Sequence, residues 1–254
     1  MMAIDNQILI KSAEEIEIMT EGGEKLARVK SRLIHEIKIG GNTKDLDTLA
    51  ENLIFKEGGK SSFKMVPGYR WTICININEG VVHGIPKKEI VFKTKDIISV
   101  DLGIYYKGFH TDTSFSLCLN GEGKTLQFLE VGKIALKNAI DKAIIGNRIY
   151  DISKAIEKTV VQKGYSPIKA LVGHGIGKSL HEEPQIPCFA IGKREYSPII
   201  KEGLVIAIEV MYALGKGDVN LLDDGWTIAT SDGTISALFE DTVAITREGP
   251  RVLT

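Results

Sequence analysis

Cysteine is scarce in this chain: Cys74, Cys118 and Cys188 are the only three in 254 residues. An odd number at wide spacing supports neither a disulfide framework nor a zinc knuckle, and fits reduced thiols. An excess of either charge is also missing. With 32 lysines and arginines against 33 aspartates and glutamates, the formal net charge is -1. That balance gives no electrostatic reason to expect a nucleic acid or a membrane as partner. No apolar run approaches the roughly 20 residues of a membrane span. The opening Met1-Met2-Ala3-Ile4-Asp5-Asn6 lacks a basic stretch followed by an apolar core, so no secretory signal is expected. No Ser/Pro-rich linker divides the chain. One domain over residues 1–254 is therefore expected, soluble and cytoplasmic, and long enough to bury its own core.

What is present is a pattern used twice. Ser12-Ala13-Glu14-Glu15 has the form of a capping box, and Ile16, Met19, Leu26, Val29, Leu33 and Ile37 follow at helical spacing as far as Gly40-Gly41. A second helix is predicted over 43–56, then β-rich runs at 72–77, 97–105 and 113–119. Helices are predicted again over 125–144 and 151–163, followed by β-rich runs at 168–172, 204–211, 226–230 and 236–246. Two helices and then strands, twice over, point to an α+β fold of two related halves.

Only five histidines occur, and His35, in a helical pattern behind Ile34, reads as a surface or packing residue. His174 and His181 are different. They lie in Gly173-His174-Gly175-Ile176-Gly177-Lys178-Ser179-Leu180-His181-Glu182-Glu183-Pro184, where three glycines and a proline argue against a helix. This stretch reads as a loop presenting two imidazoles to a site, although glycine and histidine also occur in ordinary turns.

Four carboxylates interrupt apolar strand patterns. Asp101 closes Ile97-Ile98-Ser99-Val100, and Asp112 follows the turn around Lys107-Gly108. A hairpin turn centred on Tyr106 and Lys107 would set Asp101 directly opposite Asp112. Two such carboxylates repel unless a cation lies between them; a solvated pair on an edge strand is the plainer alternative. Glu209 breaks the apolar run 205–211, and Glu240 breaks 237–245. Burial of either without a partner would cost several kcal/mol, a cost that metal ligation or an ion pair with arginine would remove. Together the four carboxylates and His174 form a hard, oxygen-rich set suited to two adjacent divalent ions and metal-assisted hydrolysis.

These five positions, the two-histidine stretch and Asn78-Glu79-Gly80-Val81-Val82-His83-Gly84-Ile85-Pro86 resemble the type I methionine aminopeptidases over most of the chain, about Ile10 to Thr246. The resemblance implies the pita-bread fold, two pseudo-symmetric αβ halves around a central antiparallel sheet. It implies removal of the initiator methionine from nascent polypeptides with a small second residue. Asp101 and Asp112 would hold one metal; Asp112, His174, Glu209 and Glu240 would hold the other, with Asp112 and Glu240 bridging. Mn, Fe, Co and Zn all suit this set. Glu209 would shuttle a proton, His181 would steady the oxyanion and His83 would contact the scissile amide. Phe63, Tyr69, Cys74, Leu180 and Trp226, with Val66 nearby, would line the methionine pocket.

The chain departs from the family where Val210 replaces a usual proline and where Leu180 and Val66 replace usual aromatics, changes that bear on the width of that pocket. A Xaa-Pro peptidase of the same fold and a non-catalytic binding homologue are the alternatives. Proline-specific relatives usually carry an added N-terminal domain, and no long insertion typical of type II enzymes lies between His181 and Glu209. A monomer acting near the ribosome is expected.

Overall fold

Residues 8–254 are described by the computed structural model; Met1 to Asn6, read above for a secretory signal, lie outside them. The first half runs α1 (Ala13–Glu36), α2 (Thr43–Lys56), β1 (Lys60–Ser61), β2 (Ile73–Ile77), β3 (Gly80–Val82), β4 (Ile97–Tyr106) and β5 (Phe109–Cys118). The second runs α3 (Lys124–Ile140), α4 (Ile149–Gln162), β6 (Ser166–Pro167), β7 (Val172–Gly175), β8 (Glu182–Pro187), β9 (Val205–Ala213), β10 (Val219–Leu221), β11 (Ile228–Thr230), β12 (Ser236–Thr246) and β13 (Gly249–Val252).

Local chemistry accounts for the helix ends. Ser12 Oγ accepts from the Glu15 N–H while the Glu15 carboxylate accepts from the Ser12 N–H, the reciprocal cap read from the sequence. α1 stops at Glu36, short of Gly40, because Ile37 is already extended. α3 ends at Ile140 rather than Ile144. Beyond Ala143 the burial pattern fails, with Ile144 and Ile145 exposed, and the chain turns at Gly146 with φ 89°. α4 starts two residues earlier than predicted, where Asp151 accepts from the Arg148 N–H. Among the described residues, no helix is long and apolar enough to cross a membrane.

Ten strands, all antiparallel, form one sheet in the order β1-β4-β5-β12-β9-β7-β8, with β2 on β4, β13 on β12 and β6 on β9. The helices cover one face. Lys30 of α1 donates to Thr113 and Asp241, and Gly132 of α3 sits so close to the Phe239 ring that a Cβ there would lie 2.3 Å from it. Strand alternation then turns Asp101, Asp112, Ser114, Glu209 and Glu240 to the opposite face. A small sheet, β10-β11-β3, flanks that face.

Within the large sheet the two halves meet along a thin seam. Between β5 and β12 only Ser114 pairs with Glu240 and Thr113 with Asp241. On one side of these pairs the Thr242 hydroxyl accepts from the Asp112 N–H (2.9 Å) and donates to the Asp112 carbonyl (2.7 Å). On the other, the Ser116 hydroxyl does the same for Leu238, at 2.9 and 2.8 Å. The registers define a pseudo-two-fold axis through Ser114 and Glu240 that relates Asp101 to Glu209 and Ser116 to Thr242.

Two strand readings are corrected. The β4–β5 turn is the pair Lys107-Gly108, both at positive φ (46° and 93°), a left-handed pair suited to a two-residue hairpin. Asp101 therefore faces Ser114, and Asp112 faces Gly103, leaving the two carboxylates diagonal neighbours instead of direct partners. The register moves by two residues, so both stay on the same face. The strand predicted at 168–172 is also displaced. β7 holds Val172–Gly175, and β8 begins at Glu182, so only residues 176–181 of the two-histidine stretch form a loop.

Candidate active site and metal centre

The registers explain how residues far apart in the chain converge. One row crosses five strands through direct pairs: Cys74, Asp101, Ser114, Glu240 and Glu209. The adjacent row carries Gly103 opposite Asp112, and then Thr242, Ala207 and His174. The five candidate ligands thus stand on two neighbouring rows of one face, separated by small residues. Gly103 is required: a Cβ there would lie 2.9 Å from Ser62 Cβ and 3.3 Å from Asp112 Oδ1.

Asp112, His174 and Glu240 are buried, with ligand atoms all within 4.8 Å of one another. His174 Nδ1 lies 2.9 Å from the Gly175 carbonyl, which can only accept, so Nδ1 carries the proton. Nε2 keeps its lone pair and points to Glu209 Oε1 at 3.5 Å. Burial lowers the His174 pKa to about 3, with the nearby His181 adding to the effect, so the ring is neutral across the physiological range.

The carboxylates are pushed the other way. Burial lifts Asp101 to about 7, although a hydrogen bond with Asp112 opposes the rise. Burial first, then repulsion from Asp101 and Glu209, raises Asp112 well above the usual range. Glu209 is raised by burial and Asp101, and Glu240 by burial, Asp112, Glu209 and Asp101. Asp101 Oδ1 and Glu240 Oε1 are buried without a hydrogen-bond partner among the described residues. Among the described residues no lysine or arginine lines this cavity, which argues against an ion pair with arginine. Four crowded carboxylates, two orphaned oxygens and a free imidazole nitrogen fit divalent cations.

The cavity has a volume of about 140 Å³, and its walls include every residue anticipated for the methionine pocket: Phe63, Val66, Tyr69, Cys74, Leu180 and Trp226. Tyr69 packs edge-on to Phe63 and Trp226, with centroids 6.4 and 5.1 Å away, and its hydroxyl donates to Cys74 Sγ at 3.1 Å. Burial raises the Cys74 thiol well above its ordinary value, so it is a wall and not a nucleophile at neutral pH. His83 adopts φ 59°, left-handed and uncommon outside glycine, on the turn after β3. His181 stands exposed at the mouth, its ring 4.5 Å from that of His174. Val210 is buried on the helix side of β9 and lines no part of the cavity.

Sequence reasoning missed Ser114 at the centre of the first row, Thr242 beside Asp112, and His110. The His110 Nδ1 lies 2.9 Å from Ser62 Oγ, and the His110 backbone N–H donates to the Gly177 carbonyl. A hydroxyl residue in a strand carries no pattern that marks it, so only the register reveals Ser114 and Thr242.

A fold of two sheet-and-helix halves with this donor set on the shared face defines a class, and comparison with known proteins agrees with it. Residues 17–247 match the model of metallopeptidase family M24, and the chain belongs to that family. Within it the resemblance is to methionine aminopeptidases. The chain is 40% identical to methionine aminopeptidase 1 of Bacillus subtilis over 97% of its own length and 99% of the relative's. It superposes on the crystal structure of methionine aminopeptidase from Thermotoga maritima with a TM-score of 0.94 at 36% identity, covering 98% and 99% of the two chains. The pita-bread fold also extends to the prolidase from Pyrococcus furiosus, with a TM-score of 0.77 at 23% identity; there the match covers 97% of this chain and 65% of the prolidase.

Proposed function

We propose that this chain is a metal-dependent aminopeptidase that hydrolyses the N-terminal methionine from newly made proteins with a small second residue. The observation that supports the reading is that the five candidate ligand side chains stand on two rows of one sheet face and line a small cavity with an apolar, aromatic side wall. Two divalent ions, drawn from Mn, Fe, Co or Zn, fit the donors, with Asp101, Asp112, His174, Glu209 and Glu240 as ligands. Bound there, they would polarise the scissile carbonyl and lower the pKa of the attacking water.

This chain's own residues do the rest. Phe63, Tyr69, Cys74, Leu180 and Trp226 receive the methionine side chain and exclude water from it. Glu209 accepts the proton released at attack and returns it to the leaving amine. His181, at the mouth, donates to the developing oxyanion. His83, on its strained turn, holds the scissile amide. The 254 residues act as one catalytic unit, a cytoplasmic monomer working on chains as they leave the ribosome.

The test is release of methionine from Met-Ala-Ser by chelator-stripped protein restored with Mn(II), Co(II) or Fe(II), with Ala-Pro-Ala alongside. Metal-restored cleavage of the first peptide alone is expected. Preference for the second would reassign the chain to proline-specific hydrolysis. Asp112→Ala should abolish turnover, and full activity in that variant would refute the ligand assignment.

A further inference from the structure

The loop that carries His181 is tied to the segment before α1 by a buried ion pair with no place in the chemistry above. Lys11 Nζ donates to Glu182 Oε2 at 2.6 Å, with both side chains only 4% exposed. The other carboxylate oxygen, Glu182 Oε1, accepts from the Ser179 N–H at 3.0 Å. One lysine thus reaches across 171 residues to hold a carboxylate that clamps the loop from Ser179 to the residue after His181. Lys11 is anchored in turn, since its N–H donates to the Gly203 carbonyl at 2.8 Å and its ammonium to the Leu9 carbonyl at 3.2 Å.

Gly177 makes room for this arrangement. A Cβ there would lie 2.5 Å from Lys11 Cε and 2.9 Å from Glu182 Oε1. A second, more exposed pair, Lys178 with Glu15 at 2.9 Å, repeats the connection at the loop's outer edge. His181, by contrast, makes no side-chain hydrogen bond to another described residue; apart from its edge-on contact with the His174 ring at 4.5 Å, its aim is set by the loop beneath it. Burial lowers the Lys11 pKa and Glu182 opposes the shift.

We infer that Lys11 is a positioning residue: through Glu182 it fixes the loop 176–181 and thereby the direction in which His181 meets the substrate. The inference rests on the oxyanion role proposed for His181. It predicts a defect in turnover and not in metal loading, because neither Lys11 nor Glu182 touches the ligand set. Misplacing a reacting group by about 1 Å can cost on the order of 100-fold in rate.

The experiment compares Lys11→Met, Lys11→Arg, His181→Ala and Lys11→Met/His181→Ala in the metal-loaded enzyme. It records kcat and KM on Met-Ala-Ser, bound metal, and the His181 imidazole resonances by NMR. Lys11→Met should lower kcat by roughly 10- to 100-fold with KM within about twofold and full metal content, and should broaden or shift the His181 signals. Lys11→Arg should recover part of the loss. In the His181→Ala background, Lys11→Met should cost little more, because nothing remains to be aimed. A purely structural lysine would instead give losses that multiply.

Wild-type kcat in Lys11→Met beside an impaired His181→Ala, or multiplying losses, would overturn the positioning role alone. Wild-type kcat in His181→Ala would overturn the oxyanion role and the inference together. Should Lys11→Met fail to fold with Glu182 left unpaired, Lys11→Met/Glu182→Gln removes both charges, keeps an acceptor for Ser179 and is read in the same way.

Discussion

Thr242→Val is the sharpest test of how the seam supports the metal centre. The substitution conserves shape but removes the hydroxyl that satisfies both the N–H and the carbonyl of Asp112, at 2.9 and 2.7 Å. Asp112 is 3% exposed and Thr242 fully buried, so water cannot readily take over. A buried backbone group left unpaired costs about 1–3 kcal/mol. Two such groups, partly relieved by relaxation, give an expected loss of about 3 kcal/mol in chelated protein, read from denaturant unfolding. Because the orphaned groups belong to a proposed ligand residue, divalent-metal affinity should also fall by roughly 10- to 100-fold.

Ser116→Ala supplies the control. It removes the symmetry-related hydroxyl from Leu238 and also the 2.7 Å partner of the buried Ser99 hydroxyl, so stability should fall by at least as much while metal affinity is retained. Thr242→Ser keeps the hydroxyl and should lie within about 1 kcal/mol of wild type. A Thr242→Val protein within about 0.5 kcal/mol of wild type would refute the reasoning. So would equal losses of metal affinity in Thr242→Val and Ser116→Ala.

Two further outcomes are expected. Metal binding should be pH-dependent in one direction: protons held by Asp101, lifted to about 7, and by its raised neighbours compete with the ion, whereas His174, at about 3, stays neutral and does not. By the same sign, the raised carboxylates stabilise metal-free protein most in acid, and that contribution fades as pH rises through about 7. Calorimetry with Mn(II) at about pH 5.5 and about pH 8, in buffers of different ionisation heat, should show weaker binding and greater proton release in the acid; equal affinity would count against a carboxylate site. In α3, Gly132→Ala should destabilise despite a helix-propensity gain of about 1 kcal/mol, because the new Cβ would meet the Phe239 ring at 2.3 Å and the Tyr212 ring at 2.8 Å. A more stable variant would mean that α3 lifts from the sheet at little cost.

Much of the molecule is legible in the sequence because its signals are local. The capping box at Ser12, the apolar stripe of α1, the lone carboxylate Glu209 in its strand and the Glu240-Asp241 pair in another each declare themselves within ten or so residues. Register is less legible. The turn Lys107-Gly108 offers two centres one residue apart, and backbone φ decides between them, so Asp101 and Asp112 were expected to be direct partners and are diagonal. Strands of three or four residues, such as β3, β10 and β13, are too short to show an alternation. The hydroxyl brackets at Ser116 and Thr242 and the Lys11–Glu182 tie depend on pairings across more than a hundred residues, which no local window contains.

The thinness of the seam has a thermodynamic consequence. Asp101 and Asp112 belong to the first half, and His174, Glu209 and Glu240 to the second, while the backbone joins β5 to β12 through two residue pairs. A cation shared by the two sets would act as a clasp at this joint in the sheet, adding to the apolar cluster in which Phe63 and Tyr69 of the first half pack with Ile176, Leu180 and Val205 of the second. With the clasp closed, the halves should melt in a single transition whose midpoint climbs with free metal concentration. With it open, the crowded carboxyls keep their protons at a joint of two residue pairs, and the transition should move to lower temperature as rising pH ionises them.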